Sequence, residues 1–205
     1  MTMIQYNCEV TDKKLKDKWV PAKYLQRFLS LNSAADMLEK RLFPTSNTLK
    51  EVAESMSMFY AVSEKIMSWD TSIDRNMDNI NIVVIGDGHT PRTAALFAYM
   101  TKWKCFSIDP EFRKEEYNIK RLTLSKSKIE DVSYDFGDEV TIIILPHSHA
   151  PVQKCWDNIK SNKKWLIKME CCTRDKLNIP AYFYKDKYAI TPANEIYIWS
   201  NYIKF

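Results

Sequence analysis

The chain has 205 residues, 45% hydrophobic and 27% charged, with a formal net charge of +4 at pH 7. That length suits one sizeable core, or one core with a helical extension, and the composition excludes a globally disordered chain. No run of about eighteen apolar residues occurs, which argues against a membrane-spanning helix, and so small a charge permits an anionic partner such as nucleic acid without requiring one.

The first residues, Met1 to Glu9, lack the basic start and apolar stretch of a secretory leader, so the expected location is intracellular, in the cytoplasm. The pattern predicts a helix over 21–31 with Leu25, Phe28 and Leu29 on one face. A second helix carries Met37, Leu38 and Leu42, with Asn32 or Ser33 as its cap. Thr48 and Glu51 have the T-x-x-E spacing of a capping box. The helix that follows, with Val52, Met56, Phe59 and Ile66 at helical spacing, runs to about Trp69. Residues 70–79 read as a polar linker.

From Ile80 the pattern changes. Ile80, Ile82, Val83, Val84 and Ile85 form a short apolar run, as in a strand buried on both faces of a parallel sheet. A helix over 91–102, a strand over 104–108 and a weaker strand over 118–124 follow. The run V-T-I-I-I-L, 140–145, is another buried strand, then a helix over 151–161 and a strand over 165–169. Strands over 182–190 and 195–199 leave no room for a crossover helix, so a hairpin closes the sheet. The expected division is a helical segment, 1–77, packed on a Rossmann-like α/β domain, 78–205.

Only three glycines occur, Gly86, Gly88 and Gly137. Two of them form Gly86-Asp87-Gly88 directly after the first buried strand. Glycine permits positive φ and close backbone approach, which a ligand-cradling turn requires; a plain tight turn is the alternative. Thr90 as N-cap and Pro91 as the first helical residue would leave free amides for an anionic or carboxylate group, with Arg92 adding charge. Asp109 ends the next strand, 21 residues after Gly88. An acid there can accept hydrogen bonds from ribose hydroxyls, or can cap the next segment.

All three histidines fall in two loops: His89 after the first strand, and His147 and His149 after V-T-I-I-I-L. In a doubly wound sheet these strands are neighbours where the crevice opens, so proton transfer or ligand contact is open to them. The H-x-H spacing lacks further donors, and no metal is expected. Ser148 has no G-x-S-x-G elbow and the chain has no phosphate-binding P-loop, which sets aside acyl transfer and P-loop chemistry. The cysteines, Cys8, Cys105, Cys155, Cys171 and Cys172, are odd in number and include no C-x-x-C. They read as reduced structural thiols, with the adjacent Cys171 and Cys172 as a redox-active alternative.

The stretch V-V-I-G-D-G-H-T-P-R-T-A-A-L-F-A, then S-I-D-P, then T-I-I-I-L-P-H-S-H-A-P and a terminal hairpin resemble class I S-adenosylmethionine-dependent methyltransferases over about residues 78–205. The resemblance implies a seven-stranded sheet with the last strand inserted antiparallel, and S-adenosylmethionine as cofactor. It implies that Gly86, Asp87, Gly88 and His89 wrap the methionine part, that Asp109 holds the ribose and that Pro146 borders the site. His147 and His149 are then the candidate catalytic residues. Val84 stands where the family usually has an acid, and Thr90 where a third glycine is common. The alternative is therefore a catalytically inactive interaction or regulatory subunit, with the helices of 21–69 as its protein interface. An enzyme using NAD or a nucleotide sugar is a third reading, disfavoured by the hairpin and by Pro91 where G-x-G-x-x-G needs glycine. The methyl acceptor is not readable.

Overall fold

The computed structural model describes residues 22–44, 46–179 and 181–204. The readings at Met1 to Glu9, at Cys8 and at Pro21 lie outside the described residues. Three helices come first: α1 (Ala22–Leu29), α2 (Ala34–Glu39) and α3 (Thr48–Tyr60). The last of these runs on through a π-helical stretch, Ala61–Ile66, and a final turn, Met67–Trp69, so the expected single helix widens midway. The capping box does not form. The Thr48 hydroxyl donates to the Pro44 carbonyl, and Glu51 pairs instead with Arg92 of a later helix.

A seven-stranded sheet follows, in the order β3-β2-β1-β5-β7-β9-β8. Its members are β1 (Ile80–Ile85), β2 (Lys104–Ile108), β3 (Leu122–Ser125), β5 (Val140–Leu145), β7 (Lys163–Met169), β8 (Tyr182–Lys185) and β9 (Glu195–Ser200). All pairings are parallel except those of β9, which runs antiparallel to both β7 and β8. The terminal hairpin thus tucks its second strand inside its first. This is the Rossmann-like, methyltransferase-type arrangement of an α/β sheet that the family resemblance implies.

Alternation along the central strands explains the layers. Ile82, Val84, Ile142 and Ile144 face one core, which they share with α4 (Arg92–Met100) and all three N-terminal helices. Val83, Ile85, Ile143 and Leu145 face the other, which they share with α5 (Val152–Asn158). Successive strand residues point to opposite faces, so a strand covered on both sides must be apolar throughout. Each of these side chains contributes about 1.5–3 kcal/mol by leaving water. Phe28, Met37, Met56 and Phe59 belong to the same core as the sheet, so the first helices are a layer of the fold. Asp186, in the turn between β8 and β9, ties them down: its carboxylate accepts the Tyr24 hydroxyl at 2.6 Å and the Ser57 hydroxyl.

Several boundaries differ from the pattern. The third strand starts at Leu122, because Asn118 and Arg121 take positive φ in the approach to it. The helix over 151–161 stops at Asn158, and Ile159–Lys160 pairs with Tyr134–Asp135 as a short second sheet, β4 with β6. The strand from Tyr182 ends at Lys185, where Asp186 turns the chain through its Tyr188 and Asn194 contacts. The linker is pinned rather than loose: Ile73 is buried and the Trp103 indole donates to the Asp74 carbonyl at 2.7 Å.

Candidate functional site

In open α/β sheets the crevice opens at the carboxyl ends of the strands where strand order reverses. Here that point lies between β1 and β5, and a cavity of about 430 Å³ sits there. Ile85 and Gly86 of the β1 loop, Ile108 and Asp109 of the β2 end, and His147 to Pro151 after β5 form much of its wall. The segment after β3, Ser127 to Glu130, closes the remaining side. That segment was invisible in the sequence because it is polar and carries no motif residue.

The glycine turn is a close approach as well as a bend. Gly86 takes φ +76°, and a Cβ built on it would stand 2.2 Å from the Ser148 hydroxyl oxygen and 3.3 Å from the Ser148 Cα. The first strand loop and the fifth strand loop therefore touch through a position that only glycine fills. Gly88, at φ +81°, donates its N–H to Asp109 at 2.8 Å. The other Asp109 oxygen accepts the Glu111 N–H at 2.8 Å. Each carboxylate oxygen keeps further acceptor capacity, and Asp109 lines the cavity. The acid is held, almost buried, at the tip of β2 with acceptor capacity to spare.

Asp87 plays a different part from the one its place in the motif implies. It is fully buried, and its carboxylate accepts the Thr93 and Ala94 N–H groups at 3.0–3.1 Å, with the Ser107 hydroxyl at 3.2 Å. Burial pushes its carboxyl above the usual range, against the Arg92 guanidinium and the helix amides, which pull it down. The remaining amides of that turn are taken too: Arg92 N–H by the Thr90 carbonyl and Ala95 N–H by the Pro91 carbonyl. The expectation of free amides at this helix start is thus corrected. Thr90 is not the cap either; Pro91 holds that position, and the Thr90 hydroxyl donates to the Leu42 carbonyl.

Of the other expected site residues, Gly88, His89 and Pro146 stand outside the cavity wall. His89 is exposed, with Nδ1 3.5 Å from Glu111, and Pro146 is buried behind the loop. His147 and His149 both line the cavity. His147 has the left-handed φ of 55°, which turns its ring inward against α3. Its Nε2 comes within 3.3 Å of Glu54 Oε1, but off a hydrogen-bond line, and each atom is buried without a hydrogen-bond partner. Burial pulls the His147 imidazole down to about 4, helped by Lys50 and His149. Burial likewise pushes the Glu54 carboxyl up, against the pull of Lys50. His147 is therefore neutral near pH 7 and its ring nitrogen can accept a proton.

Glu54 was missed by sequence reasoning. The signal for it was a charged residue inside Val52 to Phe59, a stretch with small Ala53, Ser55 and Ser57 on the faces that a surface helix would fill with polar chains. Such a helix is buried all round, and a lone acid in it is a site candidate.

The cavity wall is acidic: Asp109, Glu111 and Glu130 face one cation, Lys128. No family model matches the sequence, and no curated protein matches it. Solved structures do match in outline. A variant of MtNAS in complex with S-adenosylmethionine is 10% identical, with 90% of this chain and 72% of that chain covered and a TM-score of 0.48. A SAM-dependent methyltransferase from Aquifex aeolicus is 10% identical, covering 74% of this chain and 96% of that one at a TM-score of 0.41. Coclaurine N-methyltransferase bound to N-methylheliamine and SAH is 13% identical, covering 91% and 61% at a TM-score of 0.38. At that overlap the order and sense of the seven strands carry the fold assignment by themselves: the protein has a Rossmann-like, methyltransferase-type sheet.

Proposed function

We propose that the cavity binds S-adenosylmethionine and that the chain is a methyltransferase whose acceptor meets the His147 side of the site. The observation that carries this reading is the filled helix start. In a dinucleotide-binding fold the pyrophosphate rests on free amides at that place. Here the protein's own Asp87 carboxylate occupies them, and three acids in the wall oppose a diphosphate. The same wall suits a ligand with ribose hydroxyls, an amino group and a sulfonium charge. Asp109 would hold the ribose, Ile85, Ile108 and Ile129 would flank the base, and the Gly86 turn would admit the methionine part. Bound there, the cofactor supplies an electrophilic methyl group on sulfur.

The chain's own residues would then position and deprotonate the acceptor. His147, neutral and backed by Glu54, accepts a proton at its ring nitrogen, and the loop of 147–151 sets the acceptor's approach. Alignment contributes more than proton transfer in such a reaction, so the histidine's effect falls within the usual ~10²–10⁴-fold.

Calorimetric titration of the purified protein tests the assignment. S-adenosylmethionine and S-adenosylhomocysteine should bind in the micromolar range, and NAD should not. Asp109→Ala should weaken both adenosyl ligands by about 10–100-fold, as expected for loss of a charged hydrogen-bond acceptor worth about 1.5–3 kcal/mol. Binding of NAD as tight as that of S-adenosylmethionine, or equal affinity in the variant, would sink it.

A further inference from the structure

The structure brings together three groups that lie far apart in the sequence. His149 stands in the loop after β5, and Cys171 and Cys172 follow β7 after Glu170. The ligating atoms of these three side chains lie within 4.8 Å of one another, and Cys172 Sγ is 3.2 Å from His149 Nε2. We infer that His149, Cys171 and Cys172 form a binding site for a soft divalent cation of the zinc type, with a fourth position open to solvent or substrate. The site stands on its own residues and does not depend on what occupies the neighbouring cavity.

Two thiolates and one imidazole are the donor set that zinc prefers over harder oxygen-seeking cations. Three protein ligands leave a tetrahedral ion one free position, the pattern of a site that exchanges ligands rather than a closed structural one. The surroundings of Cys171 serve both of its forms: the Ser148 and Thr173 carbonyls, 3.4 and 3.7 Å from Sγ, accept from the thiol, and Thr173 also supplies donors that a thiolate would use. Thr173 N–H points at Cys171 Sγ at 3.4 Å, and the Thr173 hydroxyl lies 2.9 Å from the same sulfur. Donors of this kind orient a metal-bound sulfur and fix its charge. The loop that carries the pair is braced at its base: Lys168 Nζ donates to the Thr173 and Asp175 carbonyls at 3.0 and 2.6 Å. Asp175 in turn accepts the Val152 N–H at 2.7 Å, which joins this loop to the one holding His149. The three donors are thus held by a framework that exists before any ion arrives.

Binding breaks the two S–H bonds and forms two sulfur–metal bonds. Two protons leave to the solvent, the imidazole gives a lone pair, and nothing is oxidised or reduced. One dication with two thiolates gives a site of zero net charge, which suits its half-buried place. Because His149 also lines the main cavity, the open position lies beside the region proposed for the acceptor.

Titration of the reduced, metal-stripped full chain with Co²⁺, followed by competition with Zn²⁺, tests the inference. One equivalent should produce the near-ultraviolet thiolate-to-cobalt charge-transfer band and visible bands of tetrahedral intensity, and Zn²⁺ should bleach both. His149→Ala and Cys172→Ala alter exposed side chains and should leave folding intact. Each should weaken binding by more than the ~10–100-fold that loss of an outer-shell partner costs. Cys171→Ser should remove one thiolate's share of the band. No charge-transfer band would overturn the inference. So would a band unchanged in Cys172→Ala and Cys171→Ser, which would assign the metal to other thiols.

Discussion

The two sides of the strand ends around the cavity are built on different principles. At the ends of β1 and β2 the chain uses backbone: two positive-φ glycines, one acid with both oxygens on main-chain N–H groups, and a helix start filled from within. At the ends of β5 and β7 it uses side chains from three distant segments: Glu54 of α3, His147 and His149 after β5, and the cysteine pair after β7. The first half is local in sequence. The second is assembled only by the fold, and burial shifts the protonation of its His147 and Glu54, as it does that of Asp87 in the first half. Under the proposed function, the first would serve as the cofactor pocket and the second as the acceptor region.

The largest effect expected from breaking the contrast is at Gly86. A side chain there meets Ser148 and must adopt φ +76°. The left-handed conformation alone costs about 1–2 kcal/mol, and the displaced Ser148 loop adds a packing cost of similar size. Gly86→Ala should therefore lose about 2–4 kcal/mol in urea unfolding and move both halves at once. Gly137 is the internal control: it has φ +55° with nothing within 4 Å of a built Cβ. Gly137→Ala should show the conformational cost only, about 1–2 kcal/mol. Equal losses in the two variants would mean that the loops do not bear on each other through Gly86.

What could be read from the sequence follows the same division. The strands themselves, the hairpin and the Gly86-to-Asp109 spacing rest on period, on glycine scarcity and on spacing, all of which are local signals, whereas the seven-stranded arrangement was implied by the family resemblance. Asp87 was misplaced because a motif position says nothing of which way a side chain turns. Here the nearest unsatisfied amides were those of its own helix, and the carboxylate took them. Glu54 and the cysteine pair were not legible because their partners are over 90 and 20 residues away, and no periodicity encodes such pairings. The first helices read as a segment packed on the domain, and their apolar faces look alike whether they cover a partner or their own sheet; the shared core makes them a layer of the fold.

A middle-sized effect should come from pH. The His147 imidazole is held at about 4 by burial, below the ordinary value near 6.5. The unfolded chain therefore binds this proton more readily than the folded one. Stability from this group is complete above about pH 6.5 and is lost as pH falls towards 4. Solvent screening of a partly open ring reduces the effect to about 1–2 kcal/mol. His147→Gln should flatten that part of the stability profile, measured by urea unfolding at pH 4.5, 5.5 and 7, while His89→Gln, altering an exposed ring, should not. Glu54 contributes with the opposite slope. Its carboxyl is raised, so its contribution is present at low pH and falls away as pH rises through its folded value. A profile that His147→Gln leaves unchanged would place the shifted group elsewhere.

The smallest change in stability, and the sharpest separation of the two halves, is expected from Glu54→Gln. The substitution keeps the shape and removes a buried charge that burial disfavours, so stability at pH 7–8 should stay within about 1 kcal/mol or rise. Its consequence should appear at His147 instead. Without the carboxylate 3.3 Å away, the imidazolium loses a counter-charge, and the ring's titration, followed by nitrogen NMR, should move lower still. Affinity for S-adenosylmethionine should change by less than about 2-fold, because Glu54 touches neither the glycine turn nor Asp109 and well-separated sites act additively. A large loss of cofactor affinity with an unmoved His147 would invert the assignment. Glu54 would then belong with Asp109, and α3 would be part of the cofactor wall rather than the support behind the histidine.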